Sequence, residues 1–243
     1  MCFDSDSLPP IPAISGAAVS HRDLVLTAPD DNEFAAFLAE PDTPTGVGVV
    51  ILPDVRGLYR FYEELALRFA ERGYAAVAFD YFGRTLGVDK RENEWDYRPH
   101  VEQTTPQTIQ LDVGACVRQL RELGCTSLFT VGFCFGGRNS WVAAASGHGL
   151  KGAIGFYGRS GQILGDVPRL EAPILALQAG ADAAIPHEEN VEFERVLREN
   201  GKEYELIEYE GAPHSFFDRK QEEFADASAD AWRRVLDFVE AKR

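Results

Sequence analysis

The chain has 243 residues, 45% apolar and 26% charged, which suits a globular protein with a substantial core. Its 24 basic residues face 39 acidic ones, and the formal net charge of −15 repels nucleic acid and anionic membrane surfaces. An anionic small molecule would therefore need a local cationic patch, and no apolar run reaches the about 18 residues of a membrane span.

In chain order, residues 1–20 read as a loose arm, rich in Pro and Gly and without periodicity. "RDLVLT" (22–27) and "EFAAFLAE" (33–40) flank the turn-rich "APDDN" and predict a β-hairpin. "GVGVVILP" (46–53) is apolar throughout, as a strand buried on both faces must be. A helix over 60–73 places Tyr62, Leu65, Ala66 and Phe69 on one face, with Gly73 positioned to end it. "YAAVAFD" (74–80) is a second buried strand, followed by a long connection over 81–100. A helix is expected over about 106–123, and a third buried strand, "SLFTVGF", over 127–133. Beyond it lie a helix over 136–146, strands over 151–158, 172–180 and 203–211, a helix over 187–200, and a last helix over about 221–241. Trp232, Val235, Leu236 and Val239 form the apolar stripe of that last helix. From residue 46 onward strands alternate with helices, the pattern of a mostly parallel central sheet with helices on both faces. Residues 21–243 read as one domain.

The four cysteines are Cys2, Cys116, Cys125 and Cys134. They form no C-x-x-C pair and no Cys/His cluster with metal-ligand spacing, so neither a disulfide framework nor a metal is expected. The acidic, Pro-rich N-terminus lacks the pattern of a signal peptide, and a reducing, cytoplasmic location is expected.

Cys134 lies in "TVGFCFGGRNS" (130–140), where a buried strand meets a helix. A buried structural cysteine is one reading of such a corner. The other is a nucleophile elbow, in which Gly132 and Gly136 provide the small residues required two before and two after the nucleophile. Gly137 lets the helix approach, and the helix N-terminus favours a thiolate. A thiol nucleophile needs a base. Of the five histidines, His214, in "EGAPHSFF", follows the last strand and so reaches the same sheet edge. A carboxylate must orient it; Asp182, in "LQAGADAAIP", follows a strand end more cleanly than Asp166 does. The order Cys134, Asp182, His214 is the nucleophile–acid–base order of α/β-hydrolases. Oxyanion donors are expected at the N–H groups of Phe135 and of Val55, in "PDVRG". "GFCFGG" does not match G-x-G-x-x-G, which argues against dinucleotide binding.

Together, "FDYFGR", "GFCFGG", "GFYG", "AGADAAIP" and "GAPHSF" resemble the dienelactone hydrolase family of α/β-hydrolases from about residue 22 onward. The resemblance implies an α/β-hydrolase fold and a carboxylic ester hydrolase of the carboxymethylenebutenolidase kind. It implies a Cys134–His214–Asp182 triad, a thioester intermediate and no cofactor. The family's typical thiol-modulating glutamate corresponds to Asp54 here. Of the family's two substrate-carboxylate arginines, one matches Arg84; the other position holds Asp218, leaving Arg219, displaced by one, and Arg56 as substitutes. Tyr157 matches a strand-end aromatic of the binding site. The expected partner is a small ester or lactone, anionic substrates included, and the expected assembly is a monomer or small homo-oligomer. A broader carboxylesterase or thioesterase, and a non-catalytic thiol redox sensor, are the alternative readings.

Overall fold

Strands with no polar side need a layer on each face, and the apolar runs obtain them from helices. The computed structural model describes residues 3–4, 6–17, 19–91 and 95–243. Its strands are β1 (Val19–Thr27), β2 (Glu33–Pro41), β3 (Val47–Leu52), β4 (Ala75–Phe79), β5 (Ser127–Phe133), β6 (Gly152–Phe156), β7 (Ile174–Ala179) and β8 (Tyr204–Tyr209). Its helices are α1 (Arg60–Ala70), α2 (Gly83–Leu86), α3 (Arg98–Val101), α4 (Pro106–Glu122), α5 (Phe135–Ala143), α6 (His187–Glu199) and α7 (Ala225–Lys242). One sheet runs β1-β2-β4-β3-β5-β6-β7-β8. The hairpin strands β1 and β2 are antiparallel, β2 is antiparallel to β4, and all pairs from β4 to β8 are parallel.

Alternation along β3 divides the core. Val49 and Ile51 pack on the side covered by α1 and α7, where Phe69 meets Trp232 at 4.9 Å between ring centroids. Val50 and Leu52 pack on the side covered by α4. Farther along that face, Trp141 of α5 and Phe193 of α6 form a third cluster. Helix α4 starts sharply because Thr105 and Thr108 cap each other's backbone N–H groups and Pro106 opens the first turn. Helix α1 stops at Ala70, and Gly73, at φ 86°, turns the chain back into the sheet. The connection over 81–100 carries α2 and part of α3; residues 92–94 within it lie outside the described residues.

The described residues of the arm pack on the domain. Phe3 is buried and stacks on Phe61 at 3.9 Å, with Phe133 and Tyr157 at 6.1 and 6.3 Å. Ser7 Oγ donates to Asp218 Oδ2 at 2.5 Å, and Arg219 N donates to the Leu8 carbonyl at 3.0 Å. One aromatic in an acidic, Pro-rich segment has no period to betray it, yet burying it contributes about 2 kcal/mol.

A second tie joins the hairpin to the helical layer. Arg84, in α2, donates from Nη1 to Asp112 Oδ2 at 2.7 Å and from Nη2 to Asp112 Oδ1 at 2.9 Å. Its Nε donates to Asp30 of the hairpin turn at 3.1 Å. Burial pushes the Asp112 carboxyl up, to about 6, against the opposing pull of Arg84. Arg84→Gln would leave a buried carboxylate without its cation and is expected to cost about 3 kcal/mol in urea denaturation near neutral pH. Without Arg84 the Asp112 carboxyl would titrate above about 6 and protonation would spare the variant, so this loss should shrink as pH falls toward about 6 and level off below it.

Candidate active site

The parallel register of β5, β6, β7 and β8 brings four strand ends to one edge of the sheet, and the candidate residues follow those ends. Cys134 comes directly after β5, at φ 55° and ψ −112°. Left-handed backbone at a non-glycine residue costs about 1–3 kcal/mol, so its surroundings must impose it. The glycines show how they do so. A Cβ on Gly132 would stand 2.0 Å from the Gly136 carbonyl oxygen of α5. A Cβ on Gly136 would stand 2.0 Å from the Leu52 carbonyl oxygen of β3, and one on Gly137 would stand 2.6 Å from that of Phe156. Backbone therefore packs on backbone on both sides of the bend. The Cys134 N–H donates to the Phe156 carbonyl at 3.0 Å, tying the elbow to the next strand. Phe135 is the first residue of α5, so its N–H has no carbonyl within the helix to reach. Val55 lies half-buried in the turn after β3.

Asp182 follows β7, and its Oδ1 accepts from the N–H groups of Ala184 and Ile185 at 2.8 and 3.2 Å. Its Oδ2 lies 2.6 Å from His214 Nδ1, in the loop after β8. Burial pushes this carboxyl up, but the hydrogen bond and charge of His214, with the two backbone donors, outweigh it and hold the pKa below its ordinary value. An ionised carboxylate only accepts, so Nδ1 carries the proton and a neutral imidazole keeps Nε2 as its base. Ser215, at φ 64°, turns the chain just after the imidazole. Tyr157, after β6 and at φ 36°, is fully buried. Its ring lies 4.9 Å from that of His214 and 6.2 Å from that of Phe133, the residue before Cys134.

A family model described as the dienelactone hydrolase family matches residues 34–242. The chain belongs to the dienelactone hydrolase family. A Yersinia pestis relative named "Putative carboxymethylenebutenolidase" is 28% identical over 225 residues, covering 85% of this chain and 83% of its own. A Bradyrhizobium relative named "Probable 2-oxo-3-(5-oxofuran-2-ylidene)propanoate lactonase" is 27% identical, covering 84% and 88%. Among solved structures, a "Putative Dienelactone Hydrolase" from Klebsiella pneumoniae superposes with a TM-score of 0.80 at 23% identity, covering 92% of this chain and 99% of its own. A dienelactone hydrolase-like promiscuous phosphotriesterase from metagenomic libraries gives 0.80 at 20% identity, covering 93% and 99%. Membership of this family makes the protein a hydrolase.

In this member of the dienelactone hydrolase family two of the arginines expected at the substrate pair within the protein. Arg84, the expected carboxylate receptor, pairs with Asp30 and Asp112. Arg56 pairs with Asp54, donating from Nη2 to Oδ2 at 3.2 Å, and its guanidinium lies 4.6 Å from the Tyr59 ring centre. Burial pushes the Arg56 pKa down, yet Asp54 and Tyr59 raise it well above its ordinary value. Asp54, fully buried, also accepts from Tyr59 Oη at 2.8 Å. Arg219 is exposed beside the arm, among residues including Leu8 and Pro9. Tyr157 packs between the rings of Phe133 and His214. Two residues that the sequence did not single out also border the site. Tyr81 donates to the Pro53 carbonyl at 2.7 Å and stands edge-on to Phe135 at 5.3 Å. Arg138 lies one helical turn after Cys134, and its position four residues past the nucleophile was the one available signal. No helix among the described residues is long and apolar enough to cross a membrane, and no group of three or more His, Cys, Asp or Glu side chains is placed to hold a metal.

The elbow glycines generate a direct stability test. Gly136→Ala should destabilise by more than about 2 kcal/mol, because its Cβ meets immobile backbone. Gly165→Ala, with no atom within 4 Å of its Cβ, should stay within about 0.5 kcal/mol of wild type. Thermal denaturation of the two variants measures the contrast.

Proposed function

We propose that the protein hydrolyses a lactone or small carboxylic ester through a thioester formed on Cys134. The observation that carries this reading is the His214–Asp182 pair at 2.6 Å on the edge where the strained Cys134 elbow also ends. His214 Nε2 accepts the Cys134 proton, and the thiolate attacks the carbonyl carbon. The carbonyl π electrons move to oxygen, where the N–H groups of Phe135 and Val55 hold the negative charge. As the tetrahedral intermediate collapses, the acyl carbon–oxygen bond breaks and the leaving oxygen takes the proton from Nε2. In a lactone that oxygen stays tethered as a hydroxyl. Water then attacks the thioester while Nε2 takes its proton, and the sulfur departs and is reprotonated. The net change is addition of one water across the ester bond.

Asp182 keeps the proton on Nδ1 and stabilises the imidazolium formed in each half-reaction. Asp54, beside Arg56 and Tyr59, sets the charge of the loop that carries Val55. The name of the Bradyrhizobium relative describes a lactone bearing a carboxylate, and this supports a substrate of the same class here. The sensor reading is weaker. Cys125 sits before the opposite end of β5, with the whole seven-residue strand, roughly 23 Å, between it and Cys134, and hydrogen-bonds to the Val47 carbonyl. Burial raises the pKa of Cys116 well above its ordinary value and also raises that of Cys125, leaving both as poor nucleophiles.

Cys134→Ala should abolish turnover across a panel of lactones and nitrophenyl esters while keeping the far-ultraviolet dichroism of the wild type. Asp182→Asn should lower kcat by about ten thousand-fold with a smaller change in KM. Full hydrolytic rate in the alanine variant would overturn the assignment.

A further inference from the structure

We propose that Arg138 is the residue that receives a substrate carboxylate beside Cys134, making this site selective for anionic lactones or esters. The inference deepens the hydrolase reading above and rests on it for the chemistry at Cys134.

Arg138 stands one turn into α5, and its backbone N–H donates to the Cys134 carbonyl at 3.3 Å. Its guanidinium lies 5.3 Å from the centre of the Phe135 ring, the side chain of the residue whose N–H is the proposed oxyanion donor. Phe135 in turn meets Tyr81, whose hydroxyl feels the charges of both Cys134 and Arg138. The cation therefore stands against the side chain of the residue that follows the nucleophile.

Its partners set it apart from the other arginines around the site. Arg56 is paired with Asp54, Arg84 with Asp30 and Asp112, and Arg91 with Asp80. Among the described residues Arg138 forms no ion pair. Nη1 donates to the neutral amide of Gln162 at 2.6 Å, and Nη2 makes a long contact of 3.4 Å with Asn139 Oδ1. Nε is buried and has no acceptor. Asp166, whose charge reaches it, is bonded to Arg169 instead. Burial lowers the Arg138 pKa, whereas carboxylates raise those of Arg56 and Arg84. A half-buried guanidinium with unused donors in a fork geometry is built to take a carboxylate, and a buried donor left unsatisfied costs about 1–3 kcal/mol until something does. In a chain with a net charge of −15, such a patch is also what draws an anion in against the overall field.

The test compares two alkylating agents of nearly equal size, iodoacetate and iodoacetamide. Their rates at Cys134 are read by peptide mass spectrometry and normalised to glutathione. Wild-type protein should favour iodoacetate, and Arg138→Gln should lower that preference about tenfold or more. Arg138→Lys, which keeps the charge, should retain most of it. An unchanged ratio in Arg138→Gln overturns the inference. If that variant does not fold, the wild-type ratio decides, since a normalised value at or below one overturns the inference as well. In steady-state kinetics, Arg138→Gln should raise KM for a carboxylated lactone at least about tenfold relative to KM for a neutral nitrophenyl ester; equal changes for both would also overturn it. Absence of turnover together with a clear iodoacetate preference would sink the hydrolase reading and leave the anion site standing. Turnover without the preference would sink the anion site alone.

Discussion

The structure depends on one backbone-to-backbone contact. At Gly136 the first turn of α5 rests against the Leu52 carbonyl of β3, with no room for a Cβ, and Gly132 and Gly137 extend the same contact to α5 itself and to β6. This packing holds Cys134 in a conformation that its own side chain disfavours. The strain is borne by strands that are apolar on both faces and therefore locked in the core. The bend aims a side chain out of the sheet edge, and that edge is where parallel strands deliver the residues following β6, β7 and β8. A strand running the other way would carry its loop to the far side of the molecule.

Charge organises the rest. Three buried carboxylates, Asp54, Asp80 and Asp112, each take an arginine. An ionised group buried without a counter-charge is costly, so these pairs are obligatory where the carboxylates stay buried. Pairing therefore decides which cations remain to meet a ligand. Arg84, which by its motif resembles a substrate arginine, pairs with Asp30 and Asp112 and ties the hairpin to α4. Arg138, inside the elbow motif, is left with an amide partner and an empty donor. The arm has a related role on the other side of the site. Asp218, where the family resemblance expects an arginine, accepts from Ser7, and Phe3 enters the aromatic cluster of Phe61, Phe133 and Tyr157.

The layered α/β architecture was legible in the amino-acid order alone, because apolar runs without a polar side and helices with one apolar stripe have few ways to bury themselves. So were the positions of Cys134, Asp182 and His214 after strand ends, since the glycine spacing and chain order are local signals. Helix limits moved by a few residues where caps intervene, as at Ala70 and Phe135. Only the tertiary structure decided the partners of the charged side chains. Arg84, Asp30 and Asp112 are far apart in sequence, and nothing in their neighbours announces that they meet. The burial of Phe3 was likewise invisible, since a lone aromatic has no periodicity. The physical reason is range: backbone conformation and amphipathic patterning are written within a few residues, whereas ion pairing and aromatic packing depend on which distant surfaces the fold brings into contact.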